Sequence, residues 1–154
     1  MTTTRTAIMQ GLASRLATVT AAAGYTTDVK KVYNDDIPLG SSLNDYQLPA
    51  ILLIEAGDNP AMDFKQFKGE WTVSLQLWSG QAVDSAMHQF VADVFKAIYA
   101  NSPVAQDEGA FRSIHPKLVE IIPARIAPDL NMIEGNRVYE VSFVIRYRTE
   151  LWNL

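Results

Sequence analysis

Ile8, Leu12, Leu16 and Val19 recur at spacings of three and four, and Met9 and Ala23 widen the same stripe. That period predicts an amphipathic helix over about residues 4–23. Thr2, Thr3 and Thr4 offer N-cap hydroxyls, and Gly24 stands where a left-handed residue ends a helix. A second stripe, Val83, Met87, Phe90, Val91, Val94 and Ile98, predicts a helix over about residues 82–99 that stops before Pro103.

Between the helices the period drops to two. Trp71, Val73, Leu75 and Leu77 alternate with Thr72, Ser74 and Gln76, which predicts a half-buried strand over residues 64–78. The run Ala50-Ile-Leu-Leu-Ile54 is continuously apolar and reads as a strand covered on both faces. Pro49 is tolerable because it stands at the strand's start. Residues 25–33 and 118–122 read as further strands. The last strand, residues 137–148, places Tyr139, Val141, Phe143, Ile145 and Tyr147 on one face and Glu140, Ser142, Arg146 and Arg148 on the other. Residues 34–46 and 129–135 carry turn chemistry, and Gly57-Asp-Asn-Pro60 reads as a turn that opens a loop reaching Gly69.

The order is thus α, β, loop, β, β, α, β, β. It implies an α+β fold, a two-layer sandwich in which two main helices pack on a mixed or antiparallel sheet. A hairpin joining the strands near 50 and 70 excludes an all-parallel, doubly wound sheet. At 154 residues the chain fits one domain, 1–154.

Composition narrows the function classes. Apolar residues at 48% and charged residues at 19% suit a soluble globular protein. No stretch has the roughly 20 apolar residues that a membrane-spanning helix needs. Met1-Thr-Thr-Thr-Arg5 lacks the apolar core of a signal peptide, so no export is expected. With no cysteine, disulfides, thiol nucleophiles and Cys-ligated metals are excluded. A net charge of −4 argues against general affinity for phosphate backbones, and no specific nucleic-acid binding is expected.

Candidate chemistry is sparse. His88 falls beside the apolar stripe of the second helix and has no ligand or base partner at i+4; His115 precedes Pro116. No Gly-rich phosphate loop is present, and Ser79-Gly80 lacks the flanks of a nucleophile elbow. The pairs Asp35-Asp36 and Asp107-Glu108 lie in turn-rich segments, where adjacent acids are ordinarily solvated. Glu55 ends an apolar strand and reads as a strand end reaching water. Arg146 and Arg148 invite an anion-binding reading, but cations on a sheet's polar side more often suppress edge pairing. Tyr25, Tyr33, Trp71, Tyr139 and Tyr147 could form a stacking platform, yet three of them alternate on strands as core aromatics do. Catalytic, cofactor-binding and metal residues: none is expected.

Four segments resemble the tail terminator (minor tail protein) family of long-tailed bacteriophages, to which the lambda terminator belongs. They are the opening helix from Arg5-Thr-Ala-Ile8 through Leu12 and Leu16; Asp45-Tyr-Gln-Leu-Pro49-Ala-Ile-Leu-Leu-Ile-Glu-Ala-Gly57; Glu70-Trp-Thr-Val-Ser-Leu-Gln-Leu-Trp78 with the helix after it; and Tyr139-Glu-Val-Ser-Phe-Val-Ile-Arg-Tyr147. Their order and spacing carry the likeness, and residues 100–130 match nothing in it. The resemblance implies a structural virion protein without catalytic residues or cofactors. It implies a homohexameric ring, assembled in the host cytoplasm, that docks on the last ring of the tail tube protein and stops its growth. The same ring would present a surface to the head–tail connector or stopper protein at the neck end of the tail, with DNA passing through it.

Interfaces favour aromatic residues, Met and Arg. On that ground Asp58, Met62, Phe64, Lys65, Phe67 and Lys68 of the 57–69 loop, together with Arg146, Arg148 and Trp152, are the candidate interface residues. Another neck protein, a head–tail completion or stopper protein, fits the same features. A small ligand-binding or regulatory α+β domain is the alternative of a different class. It requires a pocket with convergent polar groups.

Overall fold

The structure is a computed structural model and describes residues 2–34, 48–63, 66–80, 84–100, 111, 113–128 and 137–150. Its elements run α1 (Thr4–Leu16), β1 (Lys31–Asn34), β2 (Ala50–Asp63), β3 (Gln66–Trp78), α2 (Asp84–Phe95), β4 (Leu118–Pro128) and β5 (Val138–Glu150). The strands form one sheet in the order β1-β2-β3-β5-β4. β1 joins β2 in parallel and all other pairs are antiparallel. Both helices contribute to one core on a single face of that sheet. This is the two-layer α+β sandwich with a mixed sheet that the hydrophobic periods imply.

The alternation argument holds where it was strongest. Trp71, Val73, Leu75 and Leu77 are buried, as are Tyr139, Val141, Phe143, Ile145 and Tyr147. Against them pack Ile8, Leu12 and Leu16 from α1 and Met87, Phe90, Val91 and Val94 from α2. Trp71, Tyr139 and Tyr147 are therefore core residues rather than a stacking platform.

Five expectations are corrected. The first helix ends at Leu16 rather than near residue 23. Threonine hydroxyls explain the early stop: Thr18 Oγ1 donates to the Arg15 carbonyl at 2.6 Å, and Thr20 Oγ1 accepts from the Ala23 amide at 3.3 Å. Such bonds offer the backbone an alternative to the helix. A short 3-10 turn, Ala21–Ala23, follows, and it is this turn that Gly24 closes at φ +89°. The first strand is only Lys31–Asn34, because residues ahead of it bond elsewhere: Asp28 Oδ1 accepts from the Ala21 amide and Thr27 N–H donates to Asp93.

The largest correction concerns residues 57–69. Where Gly57, Asn59 and Pro60 suggest a loop, β2 continues to Asp63 and β3 begins at Gln66, so the two strands form one long hairpin. The register shifts between Glu55 and Gly57, and Gly57 takes φ +151°, a conformation open to glycine. Pro60 is accommodated because β1 stops pairing at Leu53, so β2 borders the sheet beyond that point among the described residues. β2 is also not covered on both faces throughout. Ala50 and Leu52 join a small second cluster with Trp78 and Val138, but Ile54 is 40% exposed. The second helix gives way after Phe95 to a π-helical turn, Lys96–Ala100, which still buries Ala97 and Ile98. β4 extends well past residue 122, to Pro128.

Candidate functional surfaces

The core-facing side chains leave the opposite face of the sheet to polar residues. There Arg146 on β5 is held between two carboxylates, with Glu70 of β3 and Glu120 of β4 each at 3.1 Å. One strand position further along the sheet, Ser74 and Ser142 hydroxyls lie 3.1 Å apart, and Ser74 reaches Glu140 at 3.4 Å. Beyond them Gln76, Arg125, Ala127, Pro128, Val138 and Glu140 line a shallow depression of about 190 Å³. The cations and acids here neutralise one another, as on an ordinary solvated sheet face.

The histidines occupy structural settings. His88 is exposed on α2 and meets Tyr139 edge-on, with its Nε2 3.3 Å from the tyrosine hydroxyl. His115 Nδ1 accepts from the Lys117 amide at 3.1 Å, and partial burial, with the Lys117 charge adding to it, holds its pKa below the ordinary value. Glu55 is exposed, as a strand end reaching water requires. Asp35, Asp36, Asp107 and Glu108 lie outside the described residues. Among the described residues no group of three His, Cys, Asp or Glu side chains could hold a metal ion.

A second depression, of about 350 Å³, lies at the end of the first helix between Arg15, Thr18, Ala23, Tyr25 and Lys96. Its cations are engaged: Arg15 donates to the Ala97 carbonyl and to Ser113, and Lys96 stands 5.0 Å above the Tyr25 ring. Neither depression collects a nucleophile beside a base.

The candidate interface residues fall in two places. Asp58 and Met62 lie in β2 and Phe67 and Lys68 in β3, so the presumed loop contacts belong to a two-stranded arm. Arg146 and Arg148 are on β5, in register with Glu70 and Lys68 of that arm. Phe64, Lys65 and Trp152 lie outside the described residues. The arm and the end of β5 are thus neighbours in the sheet, which sequence spacing alone does not reveal.

Two buried polar features had no sequence signal. Asp93, 3% exposed within the apolar stripe of α2, accepts from the Thr27 amide at 2.7 Å and from Gln89 at 3.1 Å. It clamps the segment ahead of β1 to α2. Thr4 and Thr149 bury their hydroxyls against each other at 2.7 Å, tying the start of α1 to the end of β5.

No protein-family model and no curated protein matches the chain. Among solved structures, a chain described as the virion of a native gene transfer agent particle aligns with 96% of this chain and 96% of its own length, at 15% identity and a TM-score of 0.49. At that identity and score the likeness carries no inference about this chain.

Proposed function

We propose that this chain is a tail terminator, a structural virion protein of a long-tailed phage that works without catalysis. It forms a homohexameric ring on the last ring of tail tube protein, ends polymerisation and offers its other side to the head–tail connector. The observation that carries the reading is where the four resembling segments lie. They become α1, β2, β3 followed by α2, and β5: three adjacent strands with both helices on them. The likeness thus covers one packed unit and not scattered pieces, while residues 100–130, which match nothing, contribute only the border strand β4.

The geometry suits a ring subunit. A protein that must cap a growing tube needs a stiff body and a projecting element whose base is fixed. Here β3 is paired on both sides along its full length, and it anchors the β2–β3 arm. A subunit of this kind repeats by one rotation, and when the rotation closes a finite ring results. The arm, together with Arg146, Arg148 and Trp152, is the surface assigned to the neighbouring subunit or the tube.

Negative-stain microscopy of the purified protein tests the reading. Rings of tail diameter support it, as does rescue of a phage lacking its own terminator. Featureless monomers or dimers that bind no tube favour a ligand-binding α+β domain instead.

A further inference from the structure

Among the described residues two large apolar side chains stand exposed, Ile54 at 40% and Ile126 at 51%. An exposed isoleucine taken singly is ordinary. These two occupy opposite borders of the sheet. β4, with Ile126, is the last strand on one side. On the other side β1 stops pairing at Leu53, so from Ile54 onward β2 is the border among the described residues. Each isoleucine also adjoins an exposed charge, and the signs are opposite: Glu55 beside Ile54, Arg125 beside Ile126. One border therefore offers an apolar group with an acid, and the other an apolar group with a base.

Strand direction fits a repeat of the same contact. β2, β3, β5 and β4 alternate in direction, so β2 and β4 run opposite ways. Two copies set head to tail bring antiparallel borders together. A continuous hydrogen-bonded ladder does not follow, because β4 is badly equipped for one. Pro123 and Pro128 have no N–H, the register shifts between Pro123 and Arg125, and the Tyr99 hydroxyl already occupies the Ile121 carbonyl at 2.9 Å. Prolines, bulges and charges are what keep an edge from accepting a new strand. The faces differ too. Ile54 is in register with Ser74, on the polar face, whereas Ile126 is in register with Val141, on the face that carries the helices. Borders with these properties fit by overlapping.

We propose that neighbouring copies of this chain join by a lapped contact of their sheet borders, Ile54 and Glu55 of one against Ile126 and Arg125 of the next. The inference rests on the ring reading above and names the joint within it. The apolar pair supplies desolvated contact, and the opposed charges select the head-to-tail arrangement over a two-fold one. A side-chain joint without a ladder also holds the subunit to a defined partner, since it leaves no strand edge on which further chains could add.

The full-length protein tests this in two ways. Ile54→Lys and Ile126→Lys alter exposed positions, so thermal melts should match the parent while each variant loses rings in negative stain. Because the chain has no cysteine, Ile54→Cys and Ile126→Cys can be mixed and oxidised. Disulfide-linked dimers are expected in the mixture and in neither variant alone. Intact rings from both lysine variants, or cross-linking of a single cysteine variant with itself, overturn the lapped joint while the ring reading stands. A parent protein that forms no ring, alone or on tubes, overturns the ring reading itself.

Discussion

Gly69 and Tyr147 face each other across β3 and β5, and the tyrosine ring lies where a glycine β-carbon would be. A Cβ built at Gly69 stands 2.3 Å from Tyr147 Cε1. The ring is fixed from two other sides: Arg5 Nε donates to its hydroxyl at 2.8 Å, and Trp71 packs edge-on with centroids 6.3 Å apart. The tyrosine has no cheap way to retreat. Gly69→Ala should therefore cost about 1–3 kcal/mol, the usual penalty for overpacking. Chemical denaturation measures it, and an unchanged midpoint would mean that the ring moves freely.

The Thr4–Thr149 pair links residues 145 apart through two buried hydroxyls. Replacing either threonine by Val leaves the other hydroxyl without that partner, at about 1–3 kcal/mol. The double Val variant removes both and should cost less than the sum of the singles, by about 0.5–3 kcal/mol of coupling. Strict additivity in a double-mutant cycle would show that the hydroxyls act independently.

Much of this fold was legible because burial on one face imposes a period. β3 and β5 lie in the middle of the sheet with one side against helices, so their alternation survives in the residues themselves. The failures have a common cause. Thr18, Thr20 and Asp28 use side chains to satisfy backbone groups, and no apolar period registers that. At Gly57 and Pro60 the turn signals are sound local preferences, but pairing with β3 overrides them: glycine takes the bulge, and proline faces a border with no further strand among the described residues. Polar sites that are paired only in three dimensions, such as Asp93 with Thr27, were invisible for the same reason. The candidate interface was legible as composition; its being a strand arm beside β5 was not.

His115 ties a small part of stability to pH. Its folded pKa is lowered from the ordinary 6.5 by partial burial, with Lys117 adding repulsion. The unfolded chain then takes up the proton first as pH falls. Stability is fully present above about 6.5 and declines as pH drops toward the folded pKa. NMR titration should place this histidine below 6.5, and His115→Gln should flatten the pH dependence of the melting temperature in that window. Assembly should survive the substitution, since the ring contributes no catalytic step.

Leu12, Ile51, Leu75, Phe90 and Phe143 meet in the single core between sheet and helices, each at most 1% exposed. Substitution by Ala should cost about 2–5 kcal/mol at each site, through lost transfer energy and residual cavity. Melting curves that hardly moved across all five would contradict the two-layer packing.

The growth-stopping role of the arm can be separated from its contribution to folding, provided the cut respects the register. Pro60 and Gly69 are cross-strand partners, so a two-residue Asn-Gly turn can join them in place of residues 61–68. This keeps Gly69 under the Tyr147 ring and leaves Trp71, Val73, Leu75 and Leu77 in the core. It does remove the β3 partners of Arg148, Thr149 and Glu150, so some loss of stability is expected at the end of β5. The shortened protein should still show a cooperative melt and the far-UV spectrum of an α+β domain. If the arm touches the tube or the next subunit, complementation with this variant should give overlong tails without heads. The stability loss cannot produce that phenotype alone if a destabilised control, Gly69→Ala with the arm intact, still supports normal particles. Tails of normal length joined to heads would place the tube contact elsewhere and reduce the arm to a connection between β2 and β3.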